Sequence, residues 1–291
     1  MKRAAFLSAA TAAIAARPIL AATPASSAVR TIAHGLPGRL GVFARTMADG
    51  PPIVAYESSD HFPTASVIKV LIMTTAYAME EASPGALSAK VTFHNDELIG
   101  GSEFMARAQD GERFTVRRLI VPMIQLSDNT AANLLIAHFG FERINGVGLR
   151  AGMIRTRLAR RFLDYGAIVR HNENVSTPAD MGRLLYLIER GAREGIPTIV
   201  SARHCRAMVG IMLGQTDRDG IPAALPRGTA VANKTGQIEG TLNDVAIVDP
   251  YGDSPFILVV MTAEAYDDAA AYEAIHAVTR ATYRAAAGSL A

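Results

Sequence analysis

The chain has 291 residues, 29 lysines and arginines against 27 aspartates and glutamates, and 49% apolar residues. That is enough to bury one or two proper cores, and a net charge of +2 supplies no field of the kind that holds nucleic acid. A single cysteine, Cys205, excludes an internal disulfide, so packing must hold the fold; Cys205 is expected as a small buried hydrophobe rather than a nucleophile.

At the start, Lys2 and Arg3 precede an alanine-rich run from Ala4 to Ala16 that carries Phe6, Leu7 and Ile14, followed by small residues from Ala21 to Ala25. This reads as an export leader over residues 1–22, cleaved near Ala22, with the mature protein periplasmic or secreted. Arg17 and Pro18 interrupt the run, which is too short for the roughly 20 apolar residues of a bilayer span. Next, 39–47 and 52–57 read as two strands around the turn Ala48-Asp49-Gly50-Pro51. Helical periodicity follows at 116–125, 130–138, 178–189 and 202–213, with Thr115 and Thr177 as capping hydroxyls and Pro178 at the first helical position. Three more strands are expected at 230–234, 242–248 and 256–261, and an alanine-rich closing helix over 265–287. The fold class is therefore α/β (α+β): a sheet domain from both ends of the chain, 27–61 and 206–291, and a helical domain over 62–205.

Three short motifs occur in one order: Ser66-Val67-Ile68-Lys69, Ser127-Asp128-Asn129 and Lys234-Thr235-Gly236. An S-x-x-K match is expected about once in a chain of this length, whereas each of the other two occurs in only about one chain in thirty. Together they supply what serine acyl transfer needs: a nucleophilic hydroxyl, a nearby amine that can be neutral, a second hydroxyl for proton relay, and a cation for a substrate carboxylate. Ser66 precedes the apolar run Val67, Ile68, Val70, Leu71, Ile72, Met73, so it is expected to open a buried helix with Lys69 one turn on.

With the stretches 127–135 and 231–248, these motifs resemble class A β-lactamases and their related serine hydrolases across nearly the whole mature chain. The resemblance implies an antiparallel sheet flanked by N- and C-terminal helices, a helical second domain, and a cleft between them. It implies Ser66 as nucleophile, Lys69 as its base and Ser127 as the relay to the leaving nitrogen. Asn129 would bind the substrate's side-chain amide, and Lys234, Thr235 and Gly236 would line the carboxylate side. The backbone N–H groups of Ser66 and Gln237 would form the oxyanion hole, while Asp128 braces its loop.

One departure matters. Class A enzymes carry a loop glutamate in an E-x-x-L-N pattern that activates the deacylating water, and the segment between Arg160 and Pro178 lacks the pattern. Between Arg160 and Pro178 the carboxylates are Asp164 and Glu173. Glu173 is expected to brace the loop against Arg160 or Arg161, leaving Asp164 as the candidate base, with slow deacylation because its side chain is one methylene shorter than glutamate.

The expected substrate is a small β-lactam or a D-alanyl peptide, with no cofactor, no metal, no nucleic acid, no membrane after leader cleavage, and a monomeric state. The alternative is a penicillin-binding DD-peptidase-like hydrolase, or a covalent sensor that stays acylated. No metal-ligand spacing occurs among the seven histidines, no G-x-S-x-G elbow is present, and the arginines at 155, 157, 160 and 161 lack interleaved aromatics. The usual carboxylate-binding arginine of the family has no clear counterpart, Arg218 being a weak candidate.

Overall fold

The computed structural model describes residues 23–288, and the expected leader lies outside them. Helix α1 (Pro24–Gly35) starts with Thr23 Oγ1 accepting from Ser26 N–H at 3.1 Å. Strands β1 (Arg39–Thr46) and β2 (Val54–Tyr56) form the expected hairpin. Their sheet is completed by β7 (Val231–Ile238), β8 (Thr241–Val248) and β9 (Phe256–Ala263) in the order β2-β1-β9-β8-β7, every neighbour antiparallel. All eight residues of β8 and all eight of β9 are buried, because helices cover both faces, and this is why β9 and the 245–248 half of β8 are near-continuous apolar runs without alternation. Thr241, Asn243 and Asp244 are buried polar residues at the start of β8.

On one face, α1 and α9 (Asp268–Gly288) bury Val29, Ile275 and Val278 against Val42, Leu258 and Val260. On the other lies a second core, in which Met181 and Leu184 of α7 (Pro178–Glu194) join Val245, Val259 and Met261 of the sheet. That core continues through the helical layer formed by α2 (Lys69–Ala82), α3 (Val116–Gln125), α4 (Asn129–Phe139), α5 (Phe141–Arg150) and α8 (Ala202–Leu213). The approach of α7 to β1 depends on Gly182, where an added Cβ would stand 2.3 Å from the Phe43 ring. Both predicted caps are present: Thr115 Oγ1 accepts from Arg118 N–H and Thr177 Oγ1 from Asp180 N–H, each at 3.1 Å. A domain boundary at 205/206 would fall inside α8.

The short elements went unread in the sequence. Two-residue strands β3 (Phe62–Pro63) and β6 (Val175–Ser176) pair with each other, as do β4 (Lys90–Thr92) and β5 (Arg113–Thr115), and α6 (Tyr165–Val169) is barely more than one turn. The β3–β6 pair ties the segment before Ser66 to the end of the 157–176 loop.

Inside α7, Glu189 is fully buried and neither carboxylate oxygen has a hydrogen-bond partner among the described residues. Burial pushes its pKa up to about 8, with Arg193 pulling the other way. The folded value lies above the unfolded one, so stability is fullest below about pH 4.5 and is lost as pH rises towards 8. Glu189→Gln is expected to flatten that slope and to stabilise the protein at pH 8 by on the order of 3 kcal/mol. Urea unfolding of both proteins at pH 5 and pH 8 checks this; equal pH slopes would refute it.

Candidate active site

Ser66 lies in the 3-10 turn Ala65–Ile68, which runs directly into α2, so Lys69 is the first α-helical residue and faces the same way as the serine. Ala65 holds a left-handed backbone (φ 44°), and so does Ser127 (φ 57°). Non-glycine residues rarely adopt this conformation, and its cost at these two points aims both hydroxyl-bearing segments into one space.

The two lysines converge on the Ser127 hydroxyl. Lys69 Nζ donates to Ser66 Oγ at 2.9 Å, to the Ser127 carbonyl at 2.6 Å and to Asn129 Oδ1 at 2.8 Å, with Ser127 Oγ at 3.2 Å. From the other side, Lys234 Nζ donates to Ser127 Oγ at 3.0 Å and to the Thr235 carbonyl at 2.7 Å. Both lysines are fully buried. Burial holds Lys69 well below its ordinary pKa, the nearby Lys234 charge adds to this, and Asp128 partly opposes it. Burial also lowers Lys234, to about 8, against the pull of Asp244 and Asp217.

The supporting residues are locked. Asp128 caps α4, accepting from Ala131 N–H at 2.9 Å, while its other oxygen takes the Phe104 and Met105 N–H groups at 3.1 and 3.0 Å. Asn129 Nδ2 donates to the Gly100 carbonyl at 2.9 Å. Strand β7 passes hard against the nucleophile: a Cβ added at Gly236 would lie 2.9 Å from the Ser66 nitrogen and from the Thr64 carbonyl. Only glycine allows that approach, which brings Gln237 alongside Ser66 on the cavity wall.

The structure does not bring Asp164 into this cluster. Its Oδ1 accepts from Ala167 N–H at 2.9 Å as the N-cap of α6, and it lines neither of the two hollows that reach Ser66. Glu173 pairs with Arg160, whose Nε and Nη2 each donate to a carboxylate oxygen at 2.9 Å. Over Lys69 stands an aromatic ring instead, Phe162, whose centroid is 4.3 Å from Nζ. Its backbone is clamped by Asn133, which accepts from the Phe162 N–H at 2.8 Å and donates to its carbonyl at 3.1 Å. No spacing in the sequence singles out Phe162 or Asn133, because their meeting depends on how the loop folds over α4. Arg218 is held by the Val231 carbonyl and Asn233 Oδ1 and does not line either hollow.

Residues 24–286 match the family model described as "Beta-lactamase enzyme family". The chain belongs to that family. It is 29% identical to β-lactamase CTX-M-8 of Citrobacter amalonaticus over 225 residues, 76% of this chain and 75% of that protein. The β-lactamase from Desulfarculus baarsii superposes with a TM-score of 0.80 at 29% identity, covering 91% of this chain and 98% of that one. An ancestral (GNCA) class A β-lactamase gives 0.80 at 28% identity, with 90% and 99% covered. PBP-A in its L158E form, solved as an acyl-enzyme with penicillin G, shares the fold at 22% identity and a TM-score of 0.79, covering 92% and 98%. The chain is accordingly a class A-type serine hydrolase of the β-lactam amide bond.

Proposed function

We propose that this β-lactamase-like hydrolase opens β-lactam rings through an ester on Ser66, with the following division of labour. Ser66 Oγ forms a bond to the lactam carbonyl carbon while its proton passes to the neutral amine of Lys69. The Ser66 and Gln237 N–H groups hold the developing oxyanion, the lactam C–N bond breaks, and Ser127 passes a proton on to the leaving nitrogen. Lys234 and Thr235 hold the substrate carboxylate, and Asn129 receives the acyl side-chain amide. The observation that carries this reading is the contact set of Lys69: one buried amine within hydrogen-bond reach of both serine hydroxyls, with a second buried lysine across from it.

Hydrolysis of the ester is the slow step in this proposal. Asp164 would have to leave its cap on Ala167 to act as base, Glu173 is committed to Arg160, and Phe162 covers Lys69 on the loop side. Mixed with a penicillin, the protein is expected to gain one acyl mass on Ser66; with a chromogenic cephalosporin it should release about one equivalent in a burst before slow turnover. Absence of both the adduct and any hydrolysis would overturn the proposal. Export rests on the leader residues Lys2 to Ala22; among the described residues no helix is long and apolar enough to cross a membrane.

A further inference from the structure

Two hollows meet at Ser66, and they differ in chemistry. The larger, of about 600 Å³, is mostly apolar, walled by Phe162, Leu163, Tyr165, Ile168 and Ile238, with the Arg160–Glu173 ion pair and one further acid, the exposed Glu239, also lining it. The smaller, of about 270 Å³, contains Ser127 and Thr235 together with the carboxylates of Glu103 and Asp217, and no lysine or arginine lines it. Ser127 opens into the smaller hollow and not the larger, so the nitrogen that receives its proton, and everything attached beyond that nitrogen, lies on the acidic side.

Neither carboxylate there forms an ion pair with a lysine or arginine among the described residues. Glu103 is exposed and makes no hydrogen bond or ion pair with any described residue. Asp217 accepts the Asp219 N–H at 3.2 Å and forms no ion pair among the described residues, although its charge acts on the buried Lys234 ammonium. Arg218, its chain neighbour, is spent on Val231 and Asn233, and Lys234 is buried behind Ser127. A carboxylate next to the scissile nitrogen would still reach Lys234 and Thr235; what extends further meets two acids.

Building on the acyl-transfer reading, we propose that the leaving-group side of this cleft selects acyl donors that carry a positive charge beyond the scissile nitrogen, with Glu103 and Asp217 as the residues that discriminate. Two partly solvated carboxylates acting on one cation should give a preference of about fivefold to tenfold, and salt should weaken it.

The test uses two cephalosporins with the same acyl side chain and ring carboxylate, one bearing a pyridiniomethyl group at the 3-position and the other a plain methyl. Second-order rate constants for Ser66 acylation are measured by mass spectrometry and expressed as the cationic-to-neutral ratio, which is internal to each protein and insensitive to the folded fraction. The ratio is expected to drop at least threefold in E103Q/D217N, by a smaller amount in E103Q alone, and again when salt is raised from about 0.05 M to about 0.5 M. Adducts with both compounds but a ratio that changes less than threefold in the double variant would overturn the charge preference and leave the acyl-transfer reading standing. No Ser66 adduct with either compound would overturn both.

Discussion

Replacing Lys69 by arginine is expected to slow acylation of Ser66 by roughly a thousandfold or more, the range that loss of a positioned general base produces. Arginine preserves the charge and much of the bulk, but its guanidinium does not give up a proton in a protein, so it cannot take one from Ser66. Lysine can, because burial and the neighbouring Lys234 hold Lys69 well below its usual range. The wild-type acylation rate should therefore fall on acidification as Lys69 becomes charged. At the alkaline end, Lys234 loses its proton above about 8, so kcat/KM for a carboxylated β-lactam should decline there as the cation facing the carboxylate disappears. Acyl-adduct formation followed against pH for wild type and K69R measures all three effects; an arginine variant acylating within tenfold of wild type would remove Lys69 from the role of base.

The second large effect is on stability. Glu173→Gln should cost about 3–5 kcal/mol and lower the thermal midpoint by on the order of 10 °C, because it strands the Arg160 guanidinium, only 6% exposed, without its counter-charge. An exposed ion pair would cost no more than about 1 kcal/mol, and a loss that small would refute the assignment. The consequence reaches the nucleophile along the chain. Glu173 Oε1 also accepts from the Asn174 N–H at 2.7 Å, and the Asn174 carbonyl takes the Thr64 N–H at 2.9 Å, two residues before Ser66. Ser66 acylation in E173Q should fall together with the thermal midpoint.

Where the sequence could be read depended on range. Helices α3 and α8 end where their apolar periodicity ends, because helical periodicity is set within a few residues of chain. By contrast, β7, β8 and β9 extend a few residues beyond their apolar runs, because strand ends are set by pairing, that of β9 with β1 spanning more than two hundred residues. Strands β3 and β6 have two residues each and carry no periodicity; they exist because Phe62 pairs with Ser176 across more than a hundred residues. Asp164 illustrates the same limit at the site. Its position in the chain made it the remaining carboxylate for a base, yet a short helix in the loop uses it as a cap, and helix capping outcompetes projection into the cleft when the N–H of Ala167 is three residues away.

What the sequence determined by itself was the chemistry: a serine and a lysine one turn apart at the head of an apolar helix, a second hydroxyl, a second ammonium, and the order in which they come. Local spacing is enough to define those parts because side chains three residues apart on a helix share a face whatever surrounds them. Only the tertiary structure decided that Ser66, Lys69, Ser127 and Lys234 meet, that Phe162 rather than a carboxylate stands over Lys69, and that the far side of the cleft is acidic. Those outcomes depend on burial, which lowers the lysines, and on a loop closed by one buried ion pair, and neither is a property of any short stretch of chain.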